Sequence, residues 1–283
     1  MLKLRVITAV VLLAVLLPAM FYSTPTPFAF VALVLIAAAG WEWGRLNACG
    51  QPASLALGLA VAAMCAGSWY AGLLDKPLSL LWTVSASMWV IAGSALLRVG
   101  PAGWSKTPRL LRLVGGLVAL WLAWLAVAQA RVLGIQFLLS VLLLVWVADI
   151  FAYAAGRTLG GRFTKSKLAP SISPGKSWEG VWGGMAGVIV LALIWALLER
   201  SGNVMLIGSL YARLWGQHGW VVMLLACVFL ASMSVVGDLV ESLVKRSAGA
   251  KDSSGLLPGH GGVLDRLDAL LPTVPVAMML VNL

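Results

Sequence analysis

The chain has 283 residues, of which 61% are hydrophobic and only 11% are charged, and its mean hydropathy is +0.97. Because a soluble domain carries about 25% charged residues, this composition excludes an ordinary water-soluble protein. The net charge of +10 does not indicate nucleic-acid binding either, since the sequence offers no soluble basic domain to lie along a phosphate backbone.

Apolar runs recur along the whole chain, and each is long enough to cross a bilayer as a helix. The sequence therefore predicts an all-α, polytopic helical membrane protein with about nine transmembrane helices and an inside N-terminus. The first run resembles a signal peptide but has no small-x-small cleavage site, so we expect it to stay as a span. The predicted spans are roughly 5–23, 28–46, 53–74, 78–98, 112–131, 133–155, 178–199, 219–246 and 264–282.

The basic residues support this topology. Sixteen of the twenty lysines and arginines fall on the inner side, and the other four are Lys76, Arg131, Arg200 and Arg213. Such a bias follows the positive-inside rule. Residues 101–103 are predicted to open one of the basic inner loops.

The segment 201–217 lies between two spans on the outer side. Its apolar residues Leu206, Leu210, Leu214 and Trp215 predict an interfacial helix.

The cysteines do not indicate a redox or metal site. Cys49, Cys65 and Cys227 lie far apart, and the only histidines are His218 and His260. The sequence therefore predicts neither a disulfide framework nor a zinc site.

Acidic residues are scarce, and half of the ten lie within 31 consecutive residues: Asp238, Glu241, Asp252, Asp265 and Asp268. A solvated loop with ordinary surface charge is one explanation of this cluster. However, two of these acids begin or end long apolar runs, where ionisable groups are costly and predict function.

Helical spacing groups these residues further. Four polar residues of the eighth span stand at i, i+3, i+4 and i+7 and so share one face: Asp238, Glu241, Ser242 and Lys245. The glycines of 253–262 let backbone amides approach a ligand. Carboxylates beside basic residues and exposed amides are typical of a site for Mg²⁺ and phosphates.

A second basic, Gly-rich segment, 157–180, lies on the same side. It ends like a P-loop, but the first required glycine falls at Pro170 and no strand precedes it, which excludes Walker A. Ser177 is predicted to cap the seventh span, which would place Ser173 and Lys176 at a helix N-terminus suited to anions. Asp149 would support this site.

The residues from Ser242 to Asp268 carry a long fixed pattern, Ser-x-x-Lys-Arg, then Lys-Asp, then His-Gly-Gly-x-x-Asp-Arg-x-Asp. It resembles the full signature of the phosphatidate cytidylyltransferase family. Segments that begin at Asp149 and Ser173 are also similar to family segments, so the resemblance covers about residues 145–268.

The resemblance implies transfer of a cytidylyl group from CTP to phosphatidic acid, giving CDP-diacylglycerol and pyrophosphate. It implies Mg²⁺ on Asp238 and Asp265, with room for a second cation such as K⁺. The expected catalytic residues are Asp238, Asp265, Lys245, Arg246 and Asp268. The expected substrate-binding residues are Ser173, Lys176, Ser242, Lys251, Asp252, His260, Gly261, Gly262 and Arg266.

We expect residues 1–130 to form N-terminal transmembrane helices and residues 131–283 a catalytic transmembrane bundle with cytoplasmic active-site loops. The expected location is the bacterial inner membrane, with membrane lipids as partners, no nucleic acid, and a homodimer as a further expectation.

Two alternatives remain open at this point. An ion-coupled transporter would place its charges near the bilayer midplane, whereas here they gather at one face. An enzyme that acts on a polyprenol or its phosphate is harder to separate, because acyl chains are bound by generic apolar grooves.

Overall fold

The structure is a computed structural model that describes residues 2–202 and 208–283. Almost all of the described chain is helical, which confirms the predicted all-α membrane architecture. Eight of the described helices are long and apolar enough to cross a membrane. The elements are α1 (Leu2–Phe21), α2 (Thr26–Leu46), α3 (Gln51–Tyr70), a 3₁₀ turn (Leu73–Asp75), α4 (Ser79–Lys106), α5 (Arg109–Leu133), α6 (Ile135–Leu159), β1 (Lys167–Ala169), β2 (Ser173–Ser177), α7 (Trp178–Arg200), α8 (Leu210–His218), α9 (Trp220–Ser247), α10 (Leu264–Leu267) and α11 (Leu270–Val281).

The predicted ninth span, 264–282, is divided into α10 and the 12-residue α11. Pro272 has no N–H to donate to the carbonyl of Asp268, although Asp268 and Ala269 between α10 and α11 keep helical dihedrals. Gly237 of α9 packs here, where an added Cβ would lie 2.3 Å from the Asp268 carbonyl oxygen and 2.8 Å from Pro272 Cδ. This last segment is therefore packed tightly against α9.

The predicted loop at 101–103 is instead helical. Gly100 has φ +65° and ψ −169°, a left-handed conformation that favours glycine. The chain turns there, and the helix restarts at Pro101, whose fixed φ suits a first helical position. α4 thus continues to Lys106 after one interruption.

Two further segments differ in part from expectation. Ser173 and Lys176 lie in β2, which pairs with β1 in an antiparallel hairpin, rather than in a helix N-terminus. Ser177 does cap α7, because its hydroxyl accepts the N–H of Gly180 at 3.2 Å. In α8, Leu210 and Leu214 are buried in the protein, so this helix packs on the bundle more than an interfacial helix would. Leu206 lies outside the described residues.

Close helix contacts hold the bundle around the site. α6 and α7 meet along small residues, as where an added Cβ on Gly184 would lie 2.8 Å from the Ala148 carbonyl oxygen. α9 contacts α4, α6, α7, α8 and α11, so it lies centrally. Cys49, Cys65 and Cys227 are free thiols, as predicted.

Hydrogen bonds that join distant parts of the chain define the two ends of the bundle. At one end Ser247 Oγ donates to the Pro101 carbonyl at 3.1 Å, and Thr8 Oγ1 donates to that of Pro258 at 2.9 Å. At the other end Arg131 donates to the Met20 carbonyl at 2.8 Å. The predicted basic loops therefore gather at the first end, where the clustered acidic residues of 238–268 also lie.

Candidate active site

A polar cavity of about 430 Å³ opens between α6, α7, α9 and the β-hairpin. Asp149, Tyr153 and Arg157 line it from α6, Lys176 from β2 and Asp238 from α9. The rest of its wall is small or apolar and includes Gly156, Gly175 and Gly180, which leave the backbone accessible. The cavity thus combines carboxylates, cations and bare backbone, as an anionic nucleotide requires.

Lys176 and Asp238 form an ion pair across this cavity. Asp238 also accepts the hydroxyl of Ser242, one turn further along α9, at 3.3 Å. Both charged side chains remain about one third exposed, at 27% for Lys176 and 34% for Asp238. The pair therefore faces the space that a ligand would occupy.

A second, more buried ion group lies one turn away. Lys245 Nζ is 2.6 Å from Glu241 Oε2 and 2.6 Å from Asp265 Oδ1. Glu241 and Lys245 are neighbours because they stand at the predicted i, i+4 spacing on α9. Asp265 reaches the same lysine from α10. Asp268, one turn after Asp265, accepts the N–H of Ala269 at 2.8 Å.

Asp265 organises the connecting loop, residues 248–263, which joins α9 to α10. Its Oδ2 accepts the N–H of Ser253 at 2.9 Å, the Ser253 hydroxyl at 2.8 Å and the N–H of Gly262 at 2.7 Å. These hydrogen bonds tie Ser253 and Gly262 to a single carboxylate oxygen.

Some predicted binding residues point elsewhere in this structure. Arg246 donates to the carbonyls of Ile172 and Ala250, both at 3.3 Å, and so ties the hairpin to the connecting loop. Arg266 donates to the His260 carbonyl at 2.6 Å. Lys251 and Asp252 are exposed.

Ser173 begins β2 but is absent from the cavity wall, and Gly261 lies beside Asp265, where a Cβ would be 2.7 Å from Oδ2. The structure thus brings together Lys176, Asp238, Ser242 and the Lys245 group, whereas Arg246, Arg266 and Gly262 bind atoms of the surrounding loops.

Three contributors were missed by the sequence reasoning. Tyr153 and Arg157 line the cavity, joined by a 2.8 Å hydrogen bond, and their i, i+4 spacing after Asp149 is the signal that marks them. Glu42 of α2 is fully buried and binds the connecting loop. A lone acid inside an apolar span was the available signal for Glu42.

The donor set suits a hard divalent cation with few protein ligands. Asp238 and Asp265 each accept one lysine ammonium, so both already bind positive charge through carboxylate oxygen. Because Oδ2 of Asp265 accepts three hydrogen bonds, only Oδ1 is available to a metal ion. Lys245 can release Oδ1 and remain paired with Glu241. Among the described residues no three His, Cys, Asp or Glu side chains form a cage, and Mg²⁺ usually takes only one or two carboxylates.

An apolar groove of about 410 Å³ lies on another side of α9. Trp43, Trp89 and Trp104 line it, and Glu241 and Leu264 lie at its wall. Apolar surface thus reaches the charged cluster directly.

Comparison with known proteins identifies the group to which the chain belongs. The profile of the cytidylyltransferase family matches residues 3–283. A phosphatidate cytidylyltransferase of Haemophilus influenzae is 39% identical, over 97% of this chain and 96% of that protein. One from Pseudomonas aeruginosa is 37% identical, over 98% and 95%. The chain is therefore a member of the cytidylyltransferase family.

Proposed function

We propose that this enzyme transfers the cytidylyl group of CTP to phosphatidic acid, releasing pyrophosphate and forming CDP-diacylglycerol in phospholipid synthesis. The observation that carries the proposal is the polar cavity, where Lys176 and Asp238 meet beside Asp149 and Arg157. The names of the two full-length relatives support the same activity.

The reaction needs charge compensation more than it needs a nucleophilic side chain. An oxygen of the lipid phosphate forms a bond to the α-phosphorus of CTP, and the bond to the β-phosphate breaks. Two polyanions must approach each other, and such transfers depend mainly on positioning and electrostatic stabilisation. Lys176 and Arg157 supply positive charge in the cavity, and Ser242 orients Asp238.

We propose Mg²⁺ as the cofactor, held by Asp238 and Asp265. When bound, the ion neutralises phosphate charge and orients the phosphates. On the protein side, Lys245 keeps Glu241 as a partner when Oδ1 of Asp265 is taken. The Lys176 ammonium would be free to bind phosphate once Asp238 has another cation.

The lipid acceptor also needs apolar surface, and the groove beside Glu241 offers it next to the charged cluster. We place the protein in the bacterial inner membrane, with the site on the cytoplasmic side, because the basic loops gather at that end.

The test uses purified protein in detergent with CTP labelled on either the α- or the γ-phosphate. Phosphatidic acid, diacylglycerol and a polyprenyl phosphate are supplied separately as acceptors. We expect the α-label in a lipid product only with phosphatidic acid, and the γ-label in pyrophosphate. Transfer of the γ-label to a lipid would show a kinase, and α-label on the polyprenyl phosphate alone would assign a different acceptor.

A further inference from the structure

Glu42 is an acidic residue near the C-terminal end of α2 with no exposed surface. It belongs to α2, more than 200 residues away in sequence from everything that its carboxylate binds. Oε1 accepts the N–H of Val263 at 2.9 Å and Oε2 that of Leu264 at 2.7 Å. The Ser254 hydroxyl donates to Oε1. The Ser253 hydroxyl, which donates to Asp265 at the shorter distance of 2.8 Å, lies 3.2 Å from Oε2. Glu42 thus lies within hydrogen-bond distance of four donor groups from one short stretch of chain.

These four donors are neutral. In the part of the chain that the structure describes, no lysine, arginine or histidine pairs with Glu42. A buried carboxylate without hydrogen bonds is costly, and here backbone and hydroxyl groups replace its lost water. The cost is recovered only while the connecting loop keeps this conformation, so the Glu42 carboxylate favours one arrangement of the loop.

The same loop atoms also position Asp265. The Ser253 hydroxyl lies 3.2 Å from Glu42 Oε2 and 2.8 Å from Asp265 Oδ2, so it stands between the two acids. Gly262 also packs against the Glu42 carboxylate and the Ser253 hydroxyl. A Cβ on Gly262 would be 2.3 Å from Glu42 Oε1 and 2.0 Å from Ser253 Oγ. Only a residue without a side chain fits between Glu42 and Asp265.

The first helix supports the outer part of the loop. Thr8 donates to the Pro258 carbonyl at 2.9 Å. An added Cβ at Gly259 would lie 2.9 Å from Arg5 Cγ. The N-terminal helices α1 and α2 therefore enclose the loop that carries the proposed active-site groups.

We propose that Glu42 is a positioning residue for the transfer reaction. It fixes the connecting loop from α2, so that Asp265 is held against Lys245. This inference rests on the proposed function, because Asp265 is assigned its role there. Glu42 itself lies behind the loop and does not touch substrate.

The variant Glu42→Gln keeps the size of the side chain. However, it replaces one carboxylate oxygen, which accepts hydrogen bonds, by an amide N–H₂, which faces hydrogen-bond donors and cannot accept from them. The matched control is Glu199→Gln. Glu199 accepts the Gly208 N–H and the Ser209 hydroxyl at the opposite end of α7, so the control loses the same charge and similar bonds far from the site. Each purified variant is assayed for kcat, for KM of phosphatidic acid, for thermal unfolding and for tryptic cleavage after Lys251 and Arg266.

We expect Glu42→Gln to lose at least tenfold in kcat, with little change in KM, and to be cleaved faster in the loop, while Glu199→Gln keeps kcat within twofold. The KM-against-kcat split separates positioning from a general loss of folded protein. If Glu42→Gln does not fold, Ser254→Ala decides, because the Ser254 hydroxyl donates to Glu42 and not to Asp265: a tenfold lower kcat supports the proposal, and a wild-type kcat overturns it.

Wild-type kcat and wild-type trypsin resistance in Glu42→Gln would also overturn it. A wild-type protein without CTP-dependent transfer would instead reject the proposed function, and the trypsin comparison would still report whether Glu42 holds the loop.

Discussion

Replacing Lys245 by methionine should destabilise the protein far more than the same change at Lys176. Lys245 is 11% exposed and pairs with Glu241 and Asp265, which are 2% and 7% exposed. Removing one partner of a buried ion pair leaves charge without compensation and costs about 3–5 kcal/mol. Lys176 and Asp238 are 27% and 34% exposed, and an ion pair that reaches solvent contributes about 0–1 kcal/mol.

Thermal unfolding in detergent, followed by tryptophan fluorescence, measures the difference. At ~2–4 °C per kcal/mol, Lys245→Met should lower Tm by at least about 6 °C, and Lys176→Met by at most about 4 °C. Adding Glu241→Gln to Lys245→Met removes one uncompensated charge and should restore part of the loss. Equal Tm shifts for the two lysine variants would refute the reasoning that the Lys245 group, as the more buried of the two, contributes more to stability.

Three further outcomes are expected. Asp238→Asn should lower turnover of labelled CTP about 10²–10³-fold without lowering Tm, since it removes one of several neighbouring negative charges; near wild-type turnover would contradict the site. Gly116→Ala should lower Tm, because its Cβ would lie 2.0 Å from the ring of Trp43, whereas Gly115→Ala has open space and should not. Alkaline phosphatase fused after Leu283 should be active and a fluorescent protein there dark, and the reverse would invert the topology.

Local spacing accounts for the part of the site that the sequence predicts well. Asp238, Ser242 and Lys245 lie on one helix, so a period of 3.6 residues determines that they are neighbours. Helical spacing cannot predict contacts that form only when distant parts of the chain pack together. Lys176 is 62 positions from Asp238, and Glu42 is 221 positions from Val263, and no periodicity relates such residues.

Hydropathy predicted the spans because a bilayer requires long helices with internally satisfied backbone. It could not predict where a helix breaks, since that depends on individual backbone donors. Pro272 removes one such donor from the last span without changing its apolar character, and Gly100 with Pro101 interrupts α4. The β-hairpin was missed because its strands, Lys167–Ala169 and Ser173–Ser177, are too short for an alternating pattern.

The contact of Gly237 with the Asp268 carbonyl also bears on how the protein can move. Because Gly237 carries only a hydrogen, α9 and the start of the last helical segment are in direct contact there, and neither can shift without the other. Asp238, which adjoins this contact and lines the cavity, therefore lies on a rigid wall. Any change in the width of the cavity must consequently come from the hairpin segment, while the wall formed by α9 keeps its shape.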